Sequence, residues 1–198
     1  RRIIAPLVGY RRRARNNLAM IWPTMPKADR HAIADACCDN AGRTLLETYS
    51  TRELMARMAD TPITGPGFPA LQVARAAGRP AILVSGHFGN YEAARAALVG
   101  HGYQIGGLYR PMRNAFFNDH YVRTMEAFGG PVFPQGRQGT AGFVRHLKAG
   151  GQPVLLFDQN VHGAPLLDFL GKPAATATSA AELALRYDAE LIAFYAIR

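Results

Sequence analysis

Short apolar runs alternate with amphipathic stretches along the chain from residue 80 onward. The apolar runs are typical of buried strands, which we expect at 81–85, 103–109, 131–133, 153–157 and 191–197. Apolar residues spaced three and four apart predict helices near 90–99, 114–128, 139–149 and 178–188. This alternation predicts an α/β fold.

One helix of the predicted core carries an apolar stripe. It is formed by Phe117, Tyr121, Met125 and Phe128. Because these residues recur at helical spacing, we expect all four to pack in the core.

A different pattern precedes residue 80. Residues 26–59 show helical periodicity, residues 61–69 hold three prolines and two glycines, and a short helical segment follows at 70–77. We therefore expect a single domain, with a basic and helical part at 1–60, a linker at 61–69 and an α/β core at 70–198. The sequence starts without methionine and stops after a strand-like run, which suggests that it belongs to a longer protein.

The net charge of +9 is concentrated near the start of the chain. Residues 1–28 contain seven basic residues and no Asp or Glu. Such a segment attracts phosphate on nucleic acid, anionic lipid or an acidic carrier protein, and its alternative is a solvated arm without a partner. A nucleic-acid module would interleave aromatic residues for base stacking, whereas only Tyr10 and Trp22 occur here.

Several other classes of protein lack their signatures. No run approaches the roughly 18 to 20 apolar residues of a membrane span, and no signal-peptide core is present. The adjacent Cys37 and Cys38 provide no disulfide framework. Ser85 is not in a G-x-S-x-G motif, and no zinc motif occurs.

Candidate chemistry lies where the first core strand meets a glycine-flanked turn, at residues 82–92. His87 would sit in the turn, and Glu92 would face back toward it from the first turn of the next helix. An imidazole oriented by a carboxylate suits general-base catalysis. The alternative is a structural histidine and an acid that stabilises the helix N-terminus.

This segment resembles the His-x4-(Asp/Glu) block of the bacterial lipid A biosynthesis lauroyl/myristoyl acyltransferase family. Later blocks are similar in order: Tyr109-Arg110-Pro111 with Asn114, Asp158-Gln159, and 168–174 followed by Thr176. Near the start, Asn16-Asn17-Leu18 and Trp22-Pro23 resemble the family's N-terminal region, so the resemblance covers nearly the whole chain.

The resemblance implies a glycerol-3-phosphate-acyltransferase-like sheet flanked by helices and a single acyltransferase domain. The implied activity passes a fatty acyl group from acyl carrier protein or acyl-CoA, as co-substrate, to a hydroxyl of a membrane glycolipid such as a lipid A precursor. No metal or bound cofactor is implied. The expected partners are acyl carrier protein, a glycolipid acceptor and an anionic membrane surface, without nucleic acid. The expected location is the cytoplasmic face of the bacterial inner membrane, either peripheral or through an anchor absent from this chain.

Site residues follow from the same resemblance. His87 and Glu92 take the catalytic roles, and the substrate-binding residues are Arg110, Asp158, Asn90 and Gly89. The Arg110 guanidinium would hold a phosphate or the developing oxyanion, and Asp158 would orient Arg110 or another site group. The alternative for each of these two is a surface ion pair.

Three other functions stay open. The chain lacks the family's usual N-terminal hydrophobic segment, and the motif does not separate acceptors, so acyl transfer to another lipid such as mannosylated phosphatidylinositol fits equally. A non-catalytic protein that binds membrane or nucleic acid through the basic segment is the second alternative. A hydrolase that uses His87 on water is the third.

Overall fold

The computed structural model describes residues 9–197 of the chain. Within them the helices are α1 (Tyr10–Ile21), α2 (Lys27–Tyr49), α3 (Thr51–Met58), α4 (Gly67–Ala76), α5 (Tyr91–Gly100), α6 (Ala115–Glu126), α7 (Arg137–Lys148) and α8 (Ser179–Tyr187). The strands are β1 (Ala81–Ser85), β2 (Ile105–Tyr109), β3 (Val132–Pro134), β4 (Gln152–Leu156), β5 (Leu166–Phe169), β6 (Lys172–Ala175) and β7 (Glu190–Ala193). Arg1 and Arg2 of the basic segment lie outside the described residues.

Five strands form one parallel sheet in the order β3-β2-β4-β1-β7. All five residues of β1 are buried, because helices cover both faces of the sheet. Leu83 packs with Leu71 and Leu98 on the face covered by α4 and α5. Ile82 packs with Leu147 on the opposite face. The carboxyl ends of these strands therefore meet at one edge of the sheet, and the helices that follow them begin there.

The N-terminal helices brace this core. In α3, Leu54 packs against Phe128 and Ala96 of α5. The end of α2 reaches the turn after β1, where the Thr44 hydroxyl donates to the carbonyl of Gly89 at 3.0 Å. The first helical segment is thereby tied directly to the turn that carries His87.

A β-hairpin made of β5 and β6 lies outside the main sheet. Its two-residue turn is Leu170-Gly171, and both residues have positive φ, 55° and 72°. All four residues of β5 are exposed. The hairpin was not predicted, because its strands are too short to show a clear period.

The predicted α/β class, with a helix-flanked sheet and an N-terminal helical segment, is confirmed. That the chain forms one domain stays a prediction. The single helix expected at 26–59 is wrong, because the chain breaks at Ser50, within a run of Ser and Thr side chains that compete for backbone hydrogen bonds. The predicted linker 61–69 is too long, since α4 begins at Gly67.

Three further differences concern single elements. The expected core stripe on α6 holds for Phe128 and Met125, 0% and 8% exposed, but not for Phe117, which is 48% exposed. The strand expected at 191–197 ends at Ala193. The helix α1 was not predicted. Among residues 9–197, no helix has the length and apolar character needed to cross a bilayer.

Candidate active site

The turn between β1 and α5 holds His87 at the carboxyl edge of the sheet. Ser85, the last residue of β1, is fully buried and donates its hydroxyl to the carbonyl of Phe194 at 2.7 Å. Ser85 is therefore a structural residue. A Cβ on Gly86 would lie 3.1 Å from the carboxyl carbon of Asp158, so the glycine allows the carboxylate to approach the turn closely.

Strand pairing brings Asp158 to His87. In the parallel pair of β1 and β4, Ser85 lies opposite Leu156, and His87 and Asp158 each follow two residues later. One Asp158 oxygen lies 2.8 Å from Nδ1 of the His87 ring, and the other accepts the His87 backbone N–H at 2.8 Å. The carboxylate thus holds both the ring and the backbone of the histidine.

This pairing defines what the imidazole can do. A carboxylate only accepts hydrogen bonds, so the neutral His87 ring carries its proton on Nδ1 and donates it to Asp158. The other nitrogen, Nε2, is then free to accept a proton. Both side chains are 42% exposed, so a substrate can reach the pair. The arrangement is that of a general base whose tautomer is fixed by an acid.

Glu92 does not occupy the position that we expected. Its side chain is 1% exposed and lies 3.5 Å from Arg95 Nη1, one helical turn along α5. Burial raises the pKa of Glu92, although the Arg95 charge opposes that rise. The prediction that Glu92 orients His87 is therefore replaced by an Asp158 contact. A catalytic role for Glu92 stays a prediction.

A cavity of about 270 Å³ adjoins the pair. His87, Glu92 and Arg110 line it together with tyrosines of α5 and α6. Tyr91 places its ring edge-on to the imidazole, with 5.4 Å between the ring centroids. Burial raises the pKa of Tyr91 and of Tyr121, so both phenols stay protonated and can donate hydrogen bonds.

Arg110 lies directly after β2, exposed at the mouth of this cavity. It forms no ion pair with any residue in the range 9–197. The surface ion pair considered as its alternative role is therefore not what the structure contains. The expected contact between Asp158 and Arg110 is likewise not formed, because Asp158 binds His87.

Asn90 and Gly89 have structural contacts. The Asn90 side chain caps α5 by accepting the backbone N–H groups of Glu92 and Ala93 at 3.1 and 3.2 Å. Its amide nitrogen donates to Glu47 of α2 at 2.6 Å. Gly89 adopts a positive φ of 62°, which a side chain would disfavour. Substrate binding by these two residues stays a prediction.

A larger cavity, about 640 Å³, lies against a different face of α5. Ala93, Ala97 and Leu98 line it, together with the linker before α4, and neither His87 nor Arg110 does so. The smaller cavity is therefore the one placed for chemistry. Among the described residues, no group of three or more His, Cys, Asp or Glu side chains could hold a metal ion.

The family model for bacterial lipid A biosynthesis acyltransferases matches residues 2–198. The chain belongs to the bacterial lipid A biosynthesis acyltransferase family. The predicted resemblance is thereby confirmed. Comparison with individual curated proteins gives no significant match.

As a member of the lipid A biosynthesis acyltransferase family, the protein belongs to a family of transferases of acyl groups. The His-x4-Glu block identified His87 from sequence but suggested the wrong partner for its ring. The deciding signal was the adjacency of β1 and β4. Both strands were predicted, and an Asp follows the second, but periodicity does not tell which strands are neighbours.

Proposed function

We propose that the protein transfers a fatty acyl group from acyl carrier protein to a hydroxyl of a lipid A precursor at the cytoplasmic face of the inner membrane. The observation that carries this proposal is the His87–Asp158 pair, which leaves Nε2 of an exposed imidazole beside a cavity that also contains Arg110. Family membership supports the reaction class.

In the proposed mechanism, the donor and the acceptor meet at this cavity. Nε2 of His87 takes the proton from the acceptor hydroxyl as its oxygen attacks the thioester carbonyl. The carbonyl becomes a tetrahedral oxyanion, the carbon–sulfur bond breaks, and the departing thiolate takes the proton from the imidazolium. Asp158 stabilises the imidazolium through Nδ1. The acceptor supplies the nucleophile, so no acyl-enzyme intermediate is formed.

Positive charge at the cavity has a separate role. The Arg110 guanidinium has no ion pair within residues 9–197, so its N–H groups are available to the substrate. A guanidinium suits a phosphate of the acceptor, because its planar N–H groups match two phosphate oxygens. We assign Arg110 to acceptor positioning or to the oxyanion on this basis.

The test is a transfer assay with labelled long-chain acyl carrier protein or acyl-CoA and a panel of lipid acceptors, including a lipid A precursor and a phosphatidylinositol mannoside. His87→Ala should lower transfer at least about a hundredfold, because a positioned general base contributes about 10²- to 10⁴-fold. The matched control is His162→Ala, which removes an exposed imidazole outside the cavity.

Each outcome of this assay separates a rival function. Transfer to a different acceptor would replace the lipid A precursor, and preference for acyl-CoA would replace the carrier protein. Acyl release that is independent of any acceptor would indicate a hydrolase. If the folded parent protein transfers to no acceptor, the catalytic proposal is wrong.

A further inference from the structure

The edge of the sheet that carries His87 also carries exposed apolar side chains. Phe116 lies in the first turn of α6, which begins after β2, and the β5–β6 hairpin follows β4. Phe116 is 88% exposed. Because the strands are parallel, the segments that follow their carboxyl ends emerge on the same side of the molecule.

The hairpin contributes most of this surface. Leu166, Phe169 and Leu170 are 70%, 63% and 50% exposed. Side chains alternate between the two faces of a strand, so Leu166 and Phe169 leave both faces of the hairpin apolar. An isolated two-stranded hairpin is at best marginally stable in water. Its composition therefore points to a partner that covers it.

The tip of the hairpin carries an apolar residue against its local preference. A two-residue turn with positive φ at both positions favours Asn or Gly at its first residue. Leu170 occupies that position with φ 55°, where a bulky side chain is strained. The strain puts a leucine at the most protruding point of the hairpin.

Unpaired positive charge surrounds these apolar groups. Arg113 precedes α6, Arg137 begins α7 and Lys172 begins β6, and all three are exposed. None of them has an ion pair within the described range 9–197. The acid of the hairpin, Asp168, accepts the backbone N–H of Gly171 at 3.3 Å. Protruding apolar side chains among free cations match the interfacial region of an anionic bilayer.

We propose that this edge is the membrane-docking face of the protein, with the β5–β6 hairpin and Phe116 inserted among anionic lipids and His87 facing the surface. The inference rests on the proposed function for its choice of a lipid partner. It replaces the arginine-rich start of the chain as the main docking element. There, Arg11 is already bonded to Asp35 at 2.7 Å.

The first test is co-sedimentation of the full chain with vesicles of phosphatidylethanolamine and phosphatidylglycerol, compared with vesicles of phosphatidylcholine. Leu170→Asn should weaken binding to the anionic vesicles about tenfold, the effect of withdrawing one leucine from an apolar environment. Because Asn suits the turn better than Leu, this variant should fold at least as well as the parent. The matched control is Leu185→Asn, since Leu185 is 87% exposed near the end of α8 that points to the opposite edge.

The charge component has its own matched pair of variants. Arg113→Gln with Lys172→Gln should weaken binding to anionic vesicles at least tenfold, because each cation near the surface contributes severalfold. Arg145→Gln with Lys148→Gln removes the same charge from the far end of α7 and should leave binding nearly unchanged.

Insertion is read by fluorescence. A tryptophan at position 169, introduced as Phe169→Trp into the Trp22→Phe background, should shift to the blue on vesicle binding and be quenched by brominated lipid tails. Leu185→Trp in the same background should do neither. If Leu170→Asn binds vesicles as the parent does, or the tryptophan at 169 stays solvated, the docking face is wrong.

Two other partners would also overturn the proposal. A loss of self-association in Leu170→Asn, seen by light scattering without any change in vesicle binding, would identify a second copy of the chain. A loss of acyl carrier protein binding alone would identify the carrier. Vesicle binding is measured without an acyl donor, and transfer is measured with a detergent-solubilised acceptor, so failure of docking and failure of catalysis are separable.

Discussion

Two acid–base pairs lie within one short stretch of the structure, and they differ in almost every physical respect. His87 and Asp158 are half-exposed and hydrogen-bonded at 2.8 Å. Glu92 and Arg95 are buried, with their nearest charged atoms 3.5 Å apart, and atoms on both side chains lack a hydrogen-bond partner among the described residues. The first pair is accessible and well aligned, as a catalytic pair must be. The second is costly to bury, which indicates a role inside the fold.

The sharpest test of this comparison is the effect of each acid on turnover. Asp158→Asn should lower kcat by about a hundredfold or more, because the amide no longer fixes the His87 tautomer or stabilises the imidazolium. Glu92→Gln should lower kcat far less, since Glu92 makes no contact with the ring. The measurement is steady-state transfer with circular dichroism to confirm folding. A larger loss in Glu92→Gln than in Asp158→Asn would reverse the assignment.

The second test uses stability, where the order should invert. Arg95→Ala should lower the free energy of unfolding by about 3 kcal/mol, because it leaves buried Glu92 without its cation. It also removes the hydrogen bond from Arg95 to the carbonyl of Gly129 at 2.9 Å. Asp158→Ala should cost about 1 kcal/mol or less, as expected for a half-exposed pair. Urea unfolding monitored by circular dichroism gives both values, and equal losses would contradict the comparison.

The smallest expected effect is a pH dependence. Burial raises the pKa of Glu92 above its usual 4.5, so the folded protein holds that proton more tightly than the unfolded chain. Stability should therefore fall as the pH rises from about 4.5 through the folded-state pKa, by at most about 1.4 kcal/mol per pH unit.

Glu92→Gln cannot lose this proton. Relative to the parent, the variant should gain stability as the pH increases across that window. Thermal unfolding of both proteins from pH 4 to 8 measures the difference, and Asp119→Asn, which changes an exposed acid of α6, is the control. A difference between Glu92→Gln and the parent that stays constant with pH would exclude a raised pKa at Glu92.

The sequence supported the elements of the core better than their arrangement. The range of β1 was predicted without error, and the other core strands differ by one to four residues at their ends. Strand order and the hairpin were not predicted, because hydrophobic periodicity reports which side chains are buried but not which neighbours bury them. For the same reason His87 was identified, whereas its partner required the register between β1 and β4.

That register has a consequence for how related sequences can vary. His87 and Asp158 lie two residues beyond a matched pair on adjacent strands. A single-residue insertion or deletion directly after either strand would move one side chain out of step and separate the base from its acid. Length changes in the family should therefore accumulate elsewhere, for example at 157–165 beyond Asp158, while the two-residue steps after β1 and β4 stay constant.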